Sequence, residues 1–442
     1  MTIEHLDALI IGGNMRGLLT ASLLSHLGYR AALVELAPFL GGADSSFDTA
    51  FGDRFEFGMH VLDKERSPVA TRLLTRAVGG AVHTIRLRRG MVLRGHLVPY
   101  APERDQLPPE LRDMLPPGDI VDDLRGGPPT RARLGAIYGD AFADLIFDEV
   151  LPSYPTEARH LAFGVPEHQL LANIYPWFFP RARRETPEGD ESRSFHDRLR
   201  AGVPQDILYP REGGFGGFAQ GLIDGIDPAS VELISGARDL EVVVTPGTHD
   251  IEEVRTGGRR LRADQVFWAG SWPALCGLLE VPCQDPKTDR VVIGSFRLDR
   301  PATCDYHEVL VGDPSLQLNR VYFPARFRES SDPLMQVEFS FPEADPRPRD
   351  AAWWRARWED DLRRLGVLDG GHRVEQFDFK SVQMHFNGFG MEGEALIDAD
   401  PSLIRADSNV HAVVPSMANL NLNAYLPRTV RDVVAALAGD RD

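Results

Sequence analysis

The chain has 442 residues, 43% hydrophobic and 26% charged, a globular composition and a length that holds two or three domains of roughly 100–200 residues. Its 41 Gly and 33 Pro are too few for a collagen-like or low-complexity chain, which excludes disorder as its main state. Asp and Glu outnumber Lys and Arg by 65 to 48, a net charge of −17. Such a field repels phosphate backbones, so nucleic acid is not an expected partner, and the short arginine runs at 86–89 and 181–184 read as solvated loops and strand ends.

Cys276, Cys283 and Cys304 are odd in number and lack C-x-x-C spacing. Neither a disulfide framework nor a cysteine-rich zinc site is expected, no metal site is read, and a reducing compartment follows. The first seven residues carry acids where a secretory signal needs bases. No apolar run approaches the ~20 residues that cross a bilayer. The expectation is a cytoplasmic protein without a membrane span.

In chain order, Leu6–Ile11 is a nearly continuous apolar run, as in a strand buried on both faces. Gly12-Gly13-Asn14-Met15-Arg16-Gly17 follows, then Leu18–Leu27 with Leu18, Ala21 and Leu24 at helical spacing, and Gly28 as a stop. Ala31–Glu35 is a second buried strand ending in an acid. Together they predict a βαβ unit of a parallel, doubly wound sheet. Phe51–Leu62 reads as a hairpin or strand, Pro68–Ala77 as a helix and Thr84–Val98 as strands. Pro102–Pro129 is Pro-rich, Arg131–Leu151 and Pro166–Phe179 are helical in pattern, and Arg181–Arg193 reads as an exposed loop. A second glycine-rich stretch, Tyr209–Phe218, leads into a helix at Ala219–Ile226. Strands are expected at Val231–Ile234, Leu240–Thr245, Ile251–Thr256, Gln265–Trp268, Val291–Leu298, His307–Val311, Arg320–Phe323 and Met335–Phe341. A helix with Trp353, Trp354 and Trp358 reads as core packing; then come a strand (Val410–Val414), an Asn-rich loop (Asn419–Asn423) and a terminal helix (Thr429–Ala438).

The turn after the first strand carries the sharpest chemistry. Glycines there let backbone amides approach a pyrophosphate at the positive end of the following helix. The usual G-x-G-x-x-G becomes Gly12-x-Asn14-x-x-Gly17, with Gly13 beside the replaced position. Asn tolerates positive φ next best after Gly, so the turn survives, with a side chain crowding the phosphate position. Glu35 lies eighteen residues beyond Gly17, where a carboxylate accepts ribose hydroxyls and disfavours a 2′-phosphate. The alternative is a βαβ turn that holds no ligand.

Gly12–Gly17, Glu35, Leu40-Gly41-Gly42 and Phe55-Glu56-Phe57-Gly58-Met59-His60 follow one another as in the FAD-binding N-terminus of UDP-galactopyranose mutases and the related protoporphyrinogen oxidase and amine oxidase flavoproteins, and the chain resembles that group. Tyr209-Pro210 with Gly213-Gly214 resembles its turn back into the flavin domain, Asp305–Pro324 with Glu338 its substrate sheet, and Leu422-Asn423-Ala424 the turn whose amides meet the flavin. The resemblance implies an α/β fold: a doubly wound Rossmann-type FAD-binding domain, in pieces at 1–66, 209–270 and 396–442. It also implies a discontinuous second α+β substrate domain at 67–208 and 271–395. FAD is the implied cofactor, with Gly12, Gly13, Asn14, Gly17, Glu35, Gly41, Gly42, Gly58, Asn423 and Ala424 around it. The chain departs from the group at Asn14, at Asp63 in place of a second histidine, and at Val414-Pro415 in place of a flavin-contacting Gly-Arg or Gly-Asp/Glu pair. It also lacks the mutases' Lys-x-Trp-Gly segment, and Asp289-Arg290 stand where amine oxidases keep a lysine.

His60 is the expected catalytic residue nearest the flavin, against a histidine merely satisfied by a backbone carbonyl. Arg320 is expected to clamp an anionic substrate such as a nucleotide sugar, against a solvated strand-end arginine. Tyr209, Tyr322 and Tyr425 are read as substrate-pocket residues, against plain core. The leading expectation is an FAD-dependent oxidoreductase acting on a small molecule in a biosynthetic pathway. The alternatives are a nucleotide-sugar mutase-like enzyme using reduced FAD, and a relative that has lost the cofactor and serves as a binding or scaffold subunit.

Overall fold

In the computed structural model, β1 (Ile3–Ile11), α1 (Met15–His26) and β2 (Ala31–Val34) form the βαβ unit. The residues described are 3–58, 60–64, 68–100, 104–117, 131–150, 153, 206–282, 287–347, 350–386, 390–392, 395–397, 400–414 and 422–439. β1 and β2 run parallel, Ala8 to Ile11 alongside Ala31 to Val34, and all eight of these residues are buried. That double-sided burial is why their sequences are continuously apolar instead of alternating.

The sheet around β1 runs Val231–Ile234, β2, β1, Arg259–Trp268, Ile251–Thr256, Glu241–Val244, with Val410–Ala412 beside the far half of Arg259–Trp268. The first four strands and Val410–Ala412 are parallel, while Glu241–Val244 and Ile251–Thr256 form an antiparallel extension. Leu18 and Leu24 of α1, Phe218 of the helix Gly217–Asp224, and Leu426 and Val433 of the helix Leu422–Ala438 share one hydrophobic core over one face. Segments from three distant parts of the chain thus build one doubly wound α/β layer. The carboxyl ends of its parallel strands face one edge, where such sheets bind ligands.

A second sheet of seven strands runs Val374–Phe386, Lys287–Leu298, Leu334–Pro342, Arg320–Tyr322, Glu308–Val311, Arg89–Leu93, His96–Pro99. It is antiparallel except where Glu308–Val311 meets Arg89–Leu93. The helix Ala351–Arg364 seats Trp354 and Trp358, each 0% exposed, in the core that holds Phe296, Phe339 and Phe341. Trp354 and Trp358 are therefore core packing, as the sequence predicts, whereas Trp353 is exposed. Leu62–Asp63, Asp206–Pro210 and Val82–Arg86 form a small antiparallel sheet.

Two boundaries differ from expectation, and two elements lie where none is expected. α1 begins at Met15, because Asn14 caps it. The last helix begins at Leu422 and carries Pro427 inside it, at the cost of the one backbone donor that a proline lacks. The strand Val374–Phe386 and the helix Trp272–Leu279 lie in stretches for which the sequence reading gives no element. The helical pattern at 166–179 and the loop at 181–193 lie outside the described residues.

Trp358 fills its site completely, and its indole Nε1 donates to the Gln317 carbonyl at 2.7 Å. Trp358→Ala is expected to cost about 3–5 kcal/mol, read as a lowered urea midpoint, and Trp358→Phe distinctly less.

Candidate functional site

At the carboxyl end of β1 the chain turns through Gly12, whose φ of +108° is a conformation that side-chain-bearing residues rarely adopt. A Cβ on Gly17 would fall onto the Gly12 carbonyl oxygen, so this glycine lets α1 pack against the strand end. Asn14 does not occupy a left-handed conformation: its φ is −72° and ψ −179°. Its role is instead that of an N-cap. Its side-chain oxygen accepts from the amides of Arg16 at 3.1 Å and Gly17 at 3.3 Å, while its Nδ2 donates to the Ala269 carbonyl at 2.6 Å. Gly13 N donates to Glu35 Oε2 at 2.6 Å, and Ala37 N to Glu35 Oε1 at 2.7 Å. Gly41 sits beside this turn, its amide donating to the Gly13 carbonyl at 2.7 Å. Gly42 lies so close to Asn14 that a Cβ there would come within 2.9 Å of the Asn14 Cβ.

Arg16, which the sequence reading does not single out, projects from the first turn of α1 toward the terminal helix. Its guanidinium lies 5.2 Å from the Tyr425 ring centre, and its Nε donates to the Val413 carbonyl at 3.1 Å. Burial pulls its pKa down, opposed by Tyr425 and Asp44. The Tyr425 hydroxyl donates to Asp44 Oδ2 at 2.7 Å, and burial drives that phenol's pKa well up, helped by the Asp44 charge. His60 Nε2 faces Asp44 Oδ1 at 3.7 Å. The other ring nitrogen of His60 meets the Gly58 carbonyl at 3.1 Å. The histidine thus combines the bland expectation, a carbonyl partner, with a carboxylate that brings it to the site.

Beyond His60 lies a buried polar cluster between the two sheets. Glu56 is 0% exposed. Its carboxyl takes hydrogen bonds from the hydroxyls of Tyr209 and Tyr322 and from Phe215 N at 2.8 Å. Gln336 bridges from the second sheet, donating from Nε2 to the Glu56 carbonyl and to Glu338 Oε1, both at 2.9 Å. Burial raises the pKa of Glu56 against the hydrogen bonds of Tyr209 and Phe215. Burial likewise raises Glu338 against the charges of Arg320 and His60. Two carboxyls that lean toward the neutral form beside one histidine are an acid–base arrangement. Arg328, its guanidinium donating to the Arg54 carbonyl at 2.7 Å, supplies positive charge toward Glu56 and both tyrosines.

The structure brings Gly12, Gly13, Asn14, Gly17, Glu35, Gly41 and Gly42 together at one strand edge, and His60, Tyr209, Tyr322 and Arg320 around the polar cluster. Two expected roles change. Tyr209 and Tyr322 are 0% and 1% exposed with their hydroxyls on Glu56, so they hold a carboxyl and do not line an open pocket. Arg320 places Nε 3.1 Å from Glu308 and Nη1 3.7 Å from Glu338, and Glu308 also pairs with Arg89 Nε at 2.6 Å. Its charge is matched by acids of its own sheet, leaving it a poor clamp for an anionic substrate. Asn423 and Ala424 fall in the first turn of the terminal helix; Asn419, Asn421 and Pro415 lie outside the described residues. Sequence reasoning missed Arg16, Asp44 and Glu56 as site residues. The signals available were a charged residue inside a turn that usually carries small ones, and an acid between two phenylalanines, Phe55 and Phe57. Among the described residues no group of three or more His, Cys, Asp or Glu could hold a metal ion, and no helix is long and apolar enough to cross a membrane.

A family model for an NAD(P)-binding Rossmann-like domain matches residues 10–77. No curated protein matches the chain in sequence. In fold it is similar to reduced UDP-galactopyranose mutase, with a TM-score of 0.66 at 13% identity over 98% of this chain and 96% of the other. It is similar to a protein from Exiguobacterium sp. 255-15 assigned as a protoporphyrinogen oxidase, with a TM-score of 0.64 at 14% identity over 99% and 100%. An oxidoreductase from Methanosarcina mazei gives 0.57 at 12% identity over 98% and 100%. The fold that the sequence resemblance implies, a Rossmann-type layer joined to a second mixed sheet, is the fold observed.

The raised Glu338 has a stability consequence. A carboxyl whose folded pKa lies above its unfolded value of about 4.5 stabilises the fold below that value and loses the contribution as pH rises through the folded pKa. Glu338→Gln, which stays neutral, is therefore expected to gain stability relative to wild type between pH 4 and pH 7, as measured by urea unfolding at both. A difference that does not change with pH would show that folding leaves the pKa of this carboxyl where it stands in the unfolded chain.

Proposed function

We propose that the chain is an FAD-dependent oxidoreductase acting on a small molecule in a reducing, cytoplasmic compartment, with the FAD-binding and substrate parts divided as the sequence reading divides them. One observation carries the proposal: a line of contacts leads from the dinucleotide turn through Arg16, Tyr425 and Asp44 to His60, whose charge acts on Glu56 and Glu338.

The residues present fit a flavin dinucleotide. The strand-end turn bears no side chain at Gly12, Gly13 or Gly17, and Glu35 stands at the end of β2 where ribose hydroxyls are recognised. The guanidinium of Arg16 adds a cation at the same edge. FAD supplies hydride transfer to or from a substrate carbon when bound. This chain's residues would do the rest. Glu338, favoured in its neutral form, would give or take the proton that accompanies that transfer at the substrate heteroatom. Arg320, fixed by Glu308, would aim Glu338. His60 would set the charge beside it, and Phe215 and Phe327, both 0% exposed, would keep water from the cluster.

The mutase-like alternative asks for arginines that grip a diphosphate. The matching of Arg320 by two acids counts against it and favours the redox reading. The scaffold alternative leaves the cost of burying Glu56, Glu338 and their partners without a purpose.

The absorbance spectrum of the isolated protein, and of the protein after incubation with FAD and desalting, tests the proposal. Stoichiometric oxidised flavin that is bleached by dithionite under nitrogen is the expected result. A protein that stays colourless and binds no FAD ends the proposal. Given flavin, oxidation or reduction of an external acceptor in turnover marks the redox use, and turnover only in the reduced form without acceptor consumption marks the mutase-like use.

A further inference from the structure

We infer that Arg16 is the group that holds the pyrophosphate of the bound dinucleotide, taking over from the helix-end amides that this turn otherwise offers. The inference rests on the dinucleotide reading above and adds to it the residue through which the phosphates are recognised.

Four backbone amides around the turn are already used by the chain. Gly12 N donates to the Val34 carbonyl at 2.9 Å, and Gly13 N to Glu35. The amides of Arg16 and Gly17 both donate to the Asn14 side-chain oxygen. In a glycine-rich turn the last pair are donors that point at the ligand, and the missing side chain at the middle position leaves them open. Here the carboxamide of Asn14 fills that place, with the nitrogen end anchored on Ala269 at 2.6 Å. The cap cannot simply swing aside, because doing so breaks three hydrogen bonds at once.

The same helix turn supplies a replacement. Arg16 folds inward over Tyr425, and its Nε is fixed on the Val413 carbonyl. Among the described residues its Nη1 and Nη2 have no hydrogen-bond partner. Two donors of one guanidinium, held in a plane by a third bond and an aromatic ring, match two oxygens of a phosphate. The carboxylate nearest in charge, Asp44, is engaged by Tyr425. A largely desolvated cation with two open donors, one helix turn from where a pyrophosphate lies in this fold, asks for an anion. The chain's overall charge of −17 makes a local cation the more necessary for a ligand that is itself negative.

Calorimetric titration of FAD and of ADP into wild type, Arg16→Met and Arg16→Lys tests this. Wild type is expected to bind both. Arg16→Met is expected to weaken both by about ten- to a hundredfold, the loss of charge-assisted hydrogen bonds to phosphate. Arg16→Lys, which keeps the charge but not the planar pair, is expected to fall between. The ligand-free Arg16→Met protein should unfold at or above the wild-type temperature, because a poorly compensated buried charge has been removed. That keeps a binding role apart from a structural one. Adding Asn14→Gly to Arg16→Met uncovers the helix amides and is expected to recover part of the lost affinity. Wild-type binding with Arg16→Met within threefold of it overturns the inference while leaving the dinucleotide reading in place. No binding of FAD or ADP by wild type removes both.

Discussion

The carboxamide of Asn14 is the contact on which the cofactor end of this structure depends. It joins the start of α1 to the end of the strand Arg259–Trp268 through Ala269 and sits against Gly42. Three segments that are far apart in the chain therefore meet on one side chain. A glycine at this position could cap nothing, and the geometry of the edge would rest on backbone packing and on whatever ligand entered it. With asparagine the edge is organised by the protein itself. N-capping of this kind contributes about 1 kcal/mol, a modest gain, but it uses up the donors that would otherwise recognise phosphate. A gain in self-sufficiency of the turn is a loss of its capacity to bind, unless another donor is brought in.

The second organising feature is the polar core between the two sheets. Glu56 comes from the N-terminal part of the chain, Tyr209 from the small sheet, and Tyr322, Gln336 and Glu338 from the large one. Every hydrogen bond in the set except that from Gln336 to Glu338 crosses from one segment to another, so the cluster fixes how these segments sit against each other. An apolar core of equal volume would cost less desolvation. A polar one, once each partner is satisfied, admits a single arrangement, because any slip leaves a carboxyl without donors. Proton-holding acids need that same precision of placement, which makes one cluster serve both ends.

How much of this could be read beforehand depended on whether a signal was local. The βαβ unit, the helix Pro68–Ala77 and the strands at Val231–Ile234 and Ile251–Thr256 are legible because strand and helix periods and glycine stops lie within the segment itself. The strand Val374–Phe386 is not legible because its partner strand, Lys287–Leu298, pairs with it across 76 to 99 residues of chain and its charged residues blur the alternation. The role of Asn14 was misread for a related reason: the middle of a glycine motif suggests positive φ, whereas a residue before a helix equally suggests a cap, and only the position of Ala269 decides between them. Arg320 reads as an anion clamp because no strand pattern shows that Glu338 lies directly opposite it on one flanking strand and Glu308 two residues off its register on the other. Glu56 carries no signal beyond being an acid between two phenylalanines.

These features divide the site by charge. At the glycine turn stands a guanidinium with open donors; at the other end stand acids that burial keeps toward neutrality; Asp44, between Tyr425 and His60, lies along the path that joins them. The arrangement suits a long ligand that is anionic at one end and exchanges protons at the other, since a second uncompensated cation beside Glu338 would ionise it and end its use as a proton donor. Glu308 prevents this: by pairing with both Arg89 and Arg320 it absorbs positive charge that would otherwise fall on Glu338 alone. The same pairing that weakens Arg320 as a clamp thus preserves the neighbouring acid. On the proposed reading, the polar chemistry of the large sheet serves proton transfer and not the gripping of an anion.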